Sequence, residues 1–243
     1  MCHSDDSRPP SAGHTGSEYS TEDLMLQAQD GNRLAAYVAR PAQPTGAGIV
    51  VMPDVRGLHE FYRQLVERFA EVGVDAVAID YFGRTAETSD RSASFDFMPH
   101  VQQATPEGVA ADVAAATEEL RRRGARAVFT VGFCFGGGYS WRQSADTPGL
   151  SGAIGFYGRA AITTDATARM TAPLLMLIAG ADAHIPVSDA QDLASRAREA
   201  GVEAEVVVYE GAPHSFFDRS FAEHEQDCAD AWDRIRSFLA AHG

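Results

Sequence analysis

Short continuous apolar runs recur along this chain, and the segments between them have helical periodicity. The runs read GAGIVVMP, VDAVAID, ARAVFTVG, SGAIGFYG, LLMLIAG and AEVVVYE. A strand that is apolar at every position, rather than at alternate ones, is buried on both faces, as in a parallel sheet covered by helices. The intervening segments supply the cover. EFYRQLVERFAEVG places Tyr62, Leu65, Phe69 and Val72 on one face and ends at Gly73, a residue suited to a helix C-terminus. PEGVAADVAAATEELRRRG opens with Pro106, which a first helical turn tolerates. SDAQDLASRAREAG opens with Ser188 and Gln191 at capping-box spacing. The last segment carries Cys228, Trp232, Ile235 and Phe238 as an apolar stripe, so Cys228 is expected in the core. Strands alternating with helices predict an α/β chain, a mostly parallel twisted sheet with helices on both faces.

Ahead of the alternation, EDLMLQAQ and RLAAYVARP flank Asp30-Gly31-Asn32, a hairpin signal. Residues 1–20 are polar and rich in Ser, Gly and Pro, and are expected as a mobile tail. Residues 21–243 are expected as a single α/β domain, an ordinary size for one such unit. The stretch from Gly83 to Thr105 is expected as a long polar loop, and long loops in compact domains are often functional.

The formal net charge is −14. Nucleic acids and anionic membranes recruit basic surfaces, so neither is expected as a partner. The chain has no lysine, which excludes a lysine nucleophile, a Schiff base and a P-loop lysine. The 3 cysteines are Cys2, Cys134 and Cys228. Their odd number and wide spacing fit a reducing cytoplasm better than a disulfide framework. No apolar run approaches membrane-spanning length. No metal motif of the CxxC or HExxH kind is present, and Cys2 with His3 on a polar terminus does not make a site. Neither metal nor cofactor is expected.

Function in parallel α/β sheets gathers at the C-terminal ends of the strands. There the run ARAVFTVG leads straight into Gly132-Phe133-Cys134-Phe135-Gly136. This is the form G-x-nucleophile-x-G between a strand and a helix. The central residue is forced into a sharp turn, and side chains two positions away would collide, so glycine flanks it. The turn presents a thiol against a helix N-terminus, where the dipole and backbone N–H groups favour thiolate. The other reading is a Gly-rich phosphate loop, but neither G-x-G-x-x-G nor Gly-Lys-Ser/Thr is present.

An elbow of this type predicts the order nucleophile, acid, histidine. Asp182 in LIAGADAHIP and His214 in VVVYEGAPHSFFD fall at the ends of the last two apolar runs. His184 precedes the last strand, His224 and His242 lie on the final helix, and His3 and His14 lie in the tail. A tetrahedral oxyanion needs donors; the backbone N–H of Phe135, after the nucleophile, and that of Val55, in the loop VVMPDVRGLHEF, are assigned. Asp54 in that loop follows a buried strand directly. It is either a turn aspartate or an acid facing the thiol.

GFCFGG, GADAHIP and GAPHSFFD together resemble the dienelactone hydrolase family, cysteine hydrolases of the α/β-hydrolase fold, over most of the chain from about Asp23 onward. The resemblance implies a compact fold without a large lid domain and a Cys–Asp–His triad on Cys134, Asp182 and His214. It places the family's thiol-holding glutamate on Asp54, which is one methylene shorter. The family's best-known members open cyclic dienelactones to maleylacetate and hold the substrate carboxylate with two arginines. One falls on Arg84, in DYFGRTA; the other falls near Asp218, with Arg219 adjacent but out of register. The implied partner is a small-molecule ester or lactone, and no pattern in the sequence sets an oligomeric state. Two other readings stand beside this one: a non-catalytic binding module of the same fold, and a thiol redox protein using Cys134. The redox reading lacks a resolving cysteine nearby in sequence.

Overall fold

The computed structural model describes residues 7–13, 17–87, 90–92 and 94–243. Cys2, His3 and His14 lie outside the described residues. An 8-stranded sheet runs in the order β1-β2-β4-β3-β5-β6-β7-β8. Its strands are β1 (Tyr19–Gln27), β2 (Arg33–Pro41), β3 (Ala47–Met52), β4 (Asp75–Ile79), β5 (Ala127–Phe133), β6 (Gly152–Phe156), β7 (Leu174–Ala179) and β8 (Ala204–Tyr209). β1 and β2 pair antiparallel about the turn at Gly31, whose φ is 89°. β2 also pairs antiparallel with β4, and from β4 to β8 every pairing is parallel. The continuous apolar runs are those parallel strands: β4, β5, β6 and β7 are buried at every position. This is the α/β-hydrolase architecture.

Helices cover both faces. α1 (Glu60–Glu71) and α6 (Glu225–His242) lie over one, burying Tyr62, Leu65, Phe69, Cys228, Trp232, Ile235 and Phe238 in one core cluster. α3 (Pro106–Arg122), α4 (Phe135–Asp146) and α5 (Val187–Glu199) lie over the other, with Val109, Val113, Trp141 and Leu193 in the second cluster. Among the described residues no helix is long and apolar enough to cross a membrane.

The elements and loops of the fold depart from the sequence reading in three places. α5 is not capped by Ser188: it begins at Val187, with Pro186 as N-cap at φ −63° and ψ 139° and no side-chain cap. Proline already holds the φ that a chain entering a helix needs, so Ser188 falls within the first turn. Part of the expected tail is packed: Pro9, Pro10 and Ala12 are buried against α6, with Trp232 Nε1–H donating to the Pro10 carbonyl at 3.3 Å and Arg236 to that of Ala12 at 3.3 Å. The long polar stretch is tied down too. Arg91 forms an ion pair with Asp80 at 2.7 Å, both side chains 1 % exposed, and its guanidinium stacks 4.2 Å from the Phe95 ring. The stretch also contains a short helix, α2 (Met98–Gln103), which buries none of its residues and therefore shows no apolar periodicity.

Candidate active site

Strand order decides which loops meet. Met52 pairs with Gly132, Phe133 with Phe156, and Ala179 with Tyr209. The C-terminal ends of β3, β5, β6, β7 and β8 are thus neighbours along one rim. Residues far apart in the chain are set side by side there: Asp54 and Val55 after β3, Cys134 after β5, Tyr157 after β6, Asp182 after β7 and His214 after β8.

Cys134 is half-buried and has φ 52° and ψ −109°, as N-cap of α4. Positive φ is rare for a non-glycine residue and persists where the surroundings over-determine it. The surroundings are the glycines. A Cβ on Gly132 would lie 1.9 Å from the Gly136 carbonyl oxygen, and one on Gly136 would lie 2.2 Å from that of Met52. The next two glycines answer the other side of the elbow: Cβ atoms on Gly137 and Gly138 would lie 2.5 Å and 2.6 Å from the Phe156 and Arg159 carbonyl oxygens. The glycine run therefore lets α4 start in the narrow gap between the β3 and β6 loops. Gly132→Ala and Gly136→Ala each set a methyl into backbone that has no rotamer to move. Each should destabilise the protein by about 3 kcal/mol or more, at the exceptional end for one substitution, read by urea denaturation. An unchanged midpoint in either variant would mean that the elbow is not held this way.

The N–H groups of Val55 and Phe135 make no hydrogen bond to the chain among the described residues. The Phe135 ring packs on Tyr81 and Tyr139, with centroids at 5.4 Å and 4.8 Å. His214 Nδ1 is 2.5 Å from Asp182 Oδ2, and the side chains are 20 % and 2 % exposed. The other Asp182 oxygen accepts the backbone N–H groups of His184 and Ile185 at 2.8 Å and 3.1 Å. His184 thus serves Asp182 through its main chain, and its own side chain is exposed. Sequence reasoning placed Asp182 and His214 at the ends of the last two apolar runs; the structure pairs those strands and brings the two side chains into contact.

Asp54 is fully buried. Its Oδ1 accepts the Arg56 N–H at 2.8 Å, closing its own turn, and its N–H donates to the Tyr62 hydroxyl at 3.1 Å. The Tyr81 hydroxyl donates to the Pro53 carbonyl and lies 3.2 Å from that of Asp54. Burial first, and then the charge of Asp54, raise the Tyr81 pKa well above the ordinary phenol value. Tyr81 remains a donor that fixes the β3 loop beside the elbow.

Arg84 is placed elsewhere than a substrate-carboxylate role requires. Its Nε and one terminal nitrogen grip Asp112 at 2.9 Å and 2.8 Å, and its other terminal nitrogen meets Asp30 at 2.5 Å. The planar fork that would read a carboxylate bidentately is already filled by one. The expected substrate arginine is a structural link between the β1–β2 turn and α3. Arg84→Ala should leave KM for anionic and neutral esters equally unaffected. It should lower stability by about 3 kcal/mol, because Asp112 loses its counter-charge and is left buried with the Asn32 amide as its remaining side-chain donor. A KM rise confined to anionic esters would return Arg84 to the site.

Two residues of the rim were given no part beside the base by the sequence reading, which named Asp218 only as the place near which the family's second arginine falls and did not single out Tyr157. Asp218 is 1 % exposed, accepts the Tyr157 hydroxyl at 2.9 Å and also accepts the Arg219 N–H. The Tyr157 ring centroid is 4.9 Å from that of His214. Tyr157 sits in GFYG and looks like the end of a strand; Asp218, an acid closing the apolar SFFD, is the one visible cue. Among the described residues no group of three or more His, Cys, Asp or Glu side chains could hold a metal ion.

The dienelactone hydrolase family model matches residues 34–243. The chain belongs to the dienelactone hydrolase family. It is therefore a hydrolase, of a family acting on small esters and lactones. A Yersinia pestis relative, provisionally named a carboxymethylenebutenolidase, is 28% identical over 228 residues, 88% of this chain and 85% of its own. A Klebsiella pneumoniae crystal structure, provisionally named a dienelactone hydrolase, superimposes with a TM-score of 0.79 at 28% identity, covering 92% of this chain and 99% of its own. A Pyrococcus furiosus esterase shares the fold alone, with a TM-score of 0.68 at 14% identity over 97% of this chain and 99% of its own.

Proposed function

We propose that this chain cleaves a small ester or lactone by covalent catalysis through Cys134. The observation that carries the reading is the pairing, on one rim, of a thiol held at φ 52° on a helix N-terminus with a His214–Asp182 contact of 2.5 Å. His214 takes the thiol proton, and the sulfur attacks the substrate carbonyl carbon. The oxygen of the tetrahedral intermediate is held by the Val55 and Phe135 N–H groups. As the intermediate collapses, the C–O bond breaks, and the leaving alkoxide takes the proton from His214. In a lactone it stays tethered as a hydroxyl. A water then attacks the thioester as His214 removes its proton; the C–S bond breaks, the acid is released, and the departing sulfur takes that proton back from His214 to restore the thiol. Asp182 fixes the His214 tautomer and stabilises its cation. Asp54, buried in the loop beside the elbow, is proposed to face the thiol.

Magnitudes rank these contributions. A thiol at its ordinary pKa of about 8.5 is roughly 3% ionised at pH 7, so full ionisation would lower the barrier by only about 2 kcal/mol. One oxyanion donor contributes about 2.7–4 kcal/mol. Placement of the carbonyl against Val55 and Phe135 therefore matters at least as much as ionisation of the thiol.

The thiol redox reading has little support. Cys228 lies buried on α6, its pKa pushed up to about 12 by burial first and then by nearby acids, and it is unsuited to resolve a sulfenic acid on Cys134. The test is stoichiometric alkylation with peptide mapping. One alkyl group on Cys134 should abolish ester hydrolysis, and a substrate analogue should slow both alkylation and inactivation together. Full activity in protein alkylated at Cys134 would remove the thiol as nucleophile, and an unmodified protein that hydrolyses no ester and forms no thioester would favour the binding module.

A further inference from the structure

Asp218 and Tyr157 take no part in the proton transfers above, yet both are buried beside the base. Tyr157 follows β6 with φ 37°, and Ser215, next to His214, has φ 66°. Left-handed backbone in two non-glycine residues at one rim is strain that the surrounding packing must maintain. That packing is visible. The Tyr157 ring is enclosed by Phe133, Phe156 and Phe216 at centroid distances of 6.4, 5.9 and 5.7 Å. Its open side meets the His214 ring at 4.9 Å and 57°. Its hydroxyl is fixed by Asp218 Oδ2 at 2.9 Å. His214 is thus held at Nδ1 by Asp182 and across its ring by Tyr157.

The groups facing Asp218 are Asp54 from the β3 loop, Tyr157 from the end of β6, His214 and Arg219 from its own loop, and Cys228 from α6. Burial first, and then the charge of Asp54, raise its pKa well above the usual carboxylate range. Both Asp218 oxygens are engaged as acceptors, Oδ2 from the Tyr157 hydroxyl and Oδ1 from the Arg219 N–H.

We propose that Tyr157 and Asp218 are positioning residues for His214: Asp218 fixes the Tyr157 hydroxyl, and the Tyr157 ring keeps the imidazole in line with Asp182. The proposal rests on His214 being the base of the reaction above. Tyr157→Phe keeps the ring and removes the hydroxyl. Asp218→Ala removes the acceptor. Asp218→Asn supplies a neutral group of the same shape that still accepts. Tyr157→Phe and Asp218→Ala should each lower kcat about tenfold with KM within about twofold, as expected when a catalytic group loses alignment. Asp218→Asn should keep at least about half the kcat on the same argument.

The second readout is the nuclear magnetic resonance signal of the His214 Nδ1–H, assigned by its loss in His214→Ala. It should be sharp in the wild type and in Asp218→Asn, and broadened in the other two variants. Unchanged kcat and signal in Tyr157→Phe would overturn the proposal. So would a lowered kcat with the His214 signal unmoved, or an Asp218→Asn variant as impaired as Asp218→Ala. Should Asp218→Ala fail to fold, Tyr157→Phe and Asp218→Asn decide. If His214→Ala kept full activity, the hydrolytic assignment of His214 would fall, while the wild-type and Tyr157→Phe signals would still judge the positioning.

Discussion

Cys134→Ala should abolish ester hydrolysis and leave the melting temperature within a few degrees of the wild type. The side chain is small and half-buried, so its loss opens no large cavity. The turn that presents it is set by Gly132 and Gly136 against backbone oxygens, and not by the thiol itself. In Cys134→Ala the proposed oxyanion donors, the Val55 and Phe135 N–H groups, would be left in place, but no atom would remain to form the acyl bond. Residual catalysis then comes from oriented donors and water alone, which in comparable triads leaves rates several orders of magnitude lower. Cys228→Ala is the internal control. Its thiol sits in the α6 stripe with Sγ 3.6 Å from the Phe216 carbonyl, so it should cost stability and no activity. Initial-rate assays with thermal denaturation of both variants separate the two roles. Most of the activity surviving in Cys134→Ala would refute the nucleophile.

His214→Ala should lose activity by several orders of magnitude, and His184→Ala by little. The two histidines flank the same carboxylate in different ways. His214 offers Asp182 an imidazole nitrogen at 2.5 Å, whereas His184 offers only its main-chain N–H, which survives truncation to alanine. In the wild type kcat/KM should fall on the acid side as the base protonates. That limb should disappear from the residual rate of His214→Ala and persist in His184→Ala. Equal losses in both variants with unchanged pH profiles would break the assignment.

The sheet was readable because burial on both faces leaves an unbroken apolar run, and such runs coincide with β3 to β8. Their spatial order was not, since no local pattern says that β3 lies between β4 and β5. The elbow was readable because its turn demands glycines, and Asp182 and His214 were readable as loop residues because each closes an apolar run. Failures came where a distant residue decides. Arg84 leaves a strand at the right end of the sheet, but Asp112 and Asp30, 28 and 54 residues away, capture its guanidinium. Tyr157 and Asp218 meet across 61 residues with no periodicity to announce it. Nothing in PPSAG foretells that Pro10 will accept a hydrogen bond from Trp232. Ser188 misled because a nearby proline did the work of starting α5.

A thioester should form on Cys134 and need His214 for its hydrolysis. Intact-protein mass spectrometry of His214→Ala, quenched in acid within seconds of mixing with an activated ester, tests it most directly. The predicted result is a mass increase equal to one acyl group, mapped to the peptide carrying Cys134 and removed by hydroxylamine. It should be absent from His214→Ala that also carries Cys134→Ala. An unmodified Cys134 peptide, from a variant that still turns the ester over, would rule out the thioester.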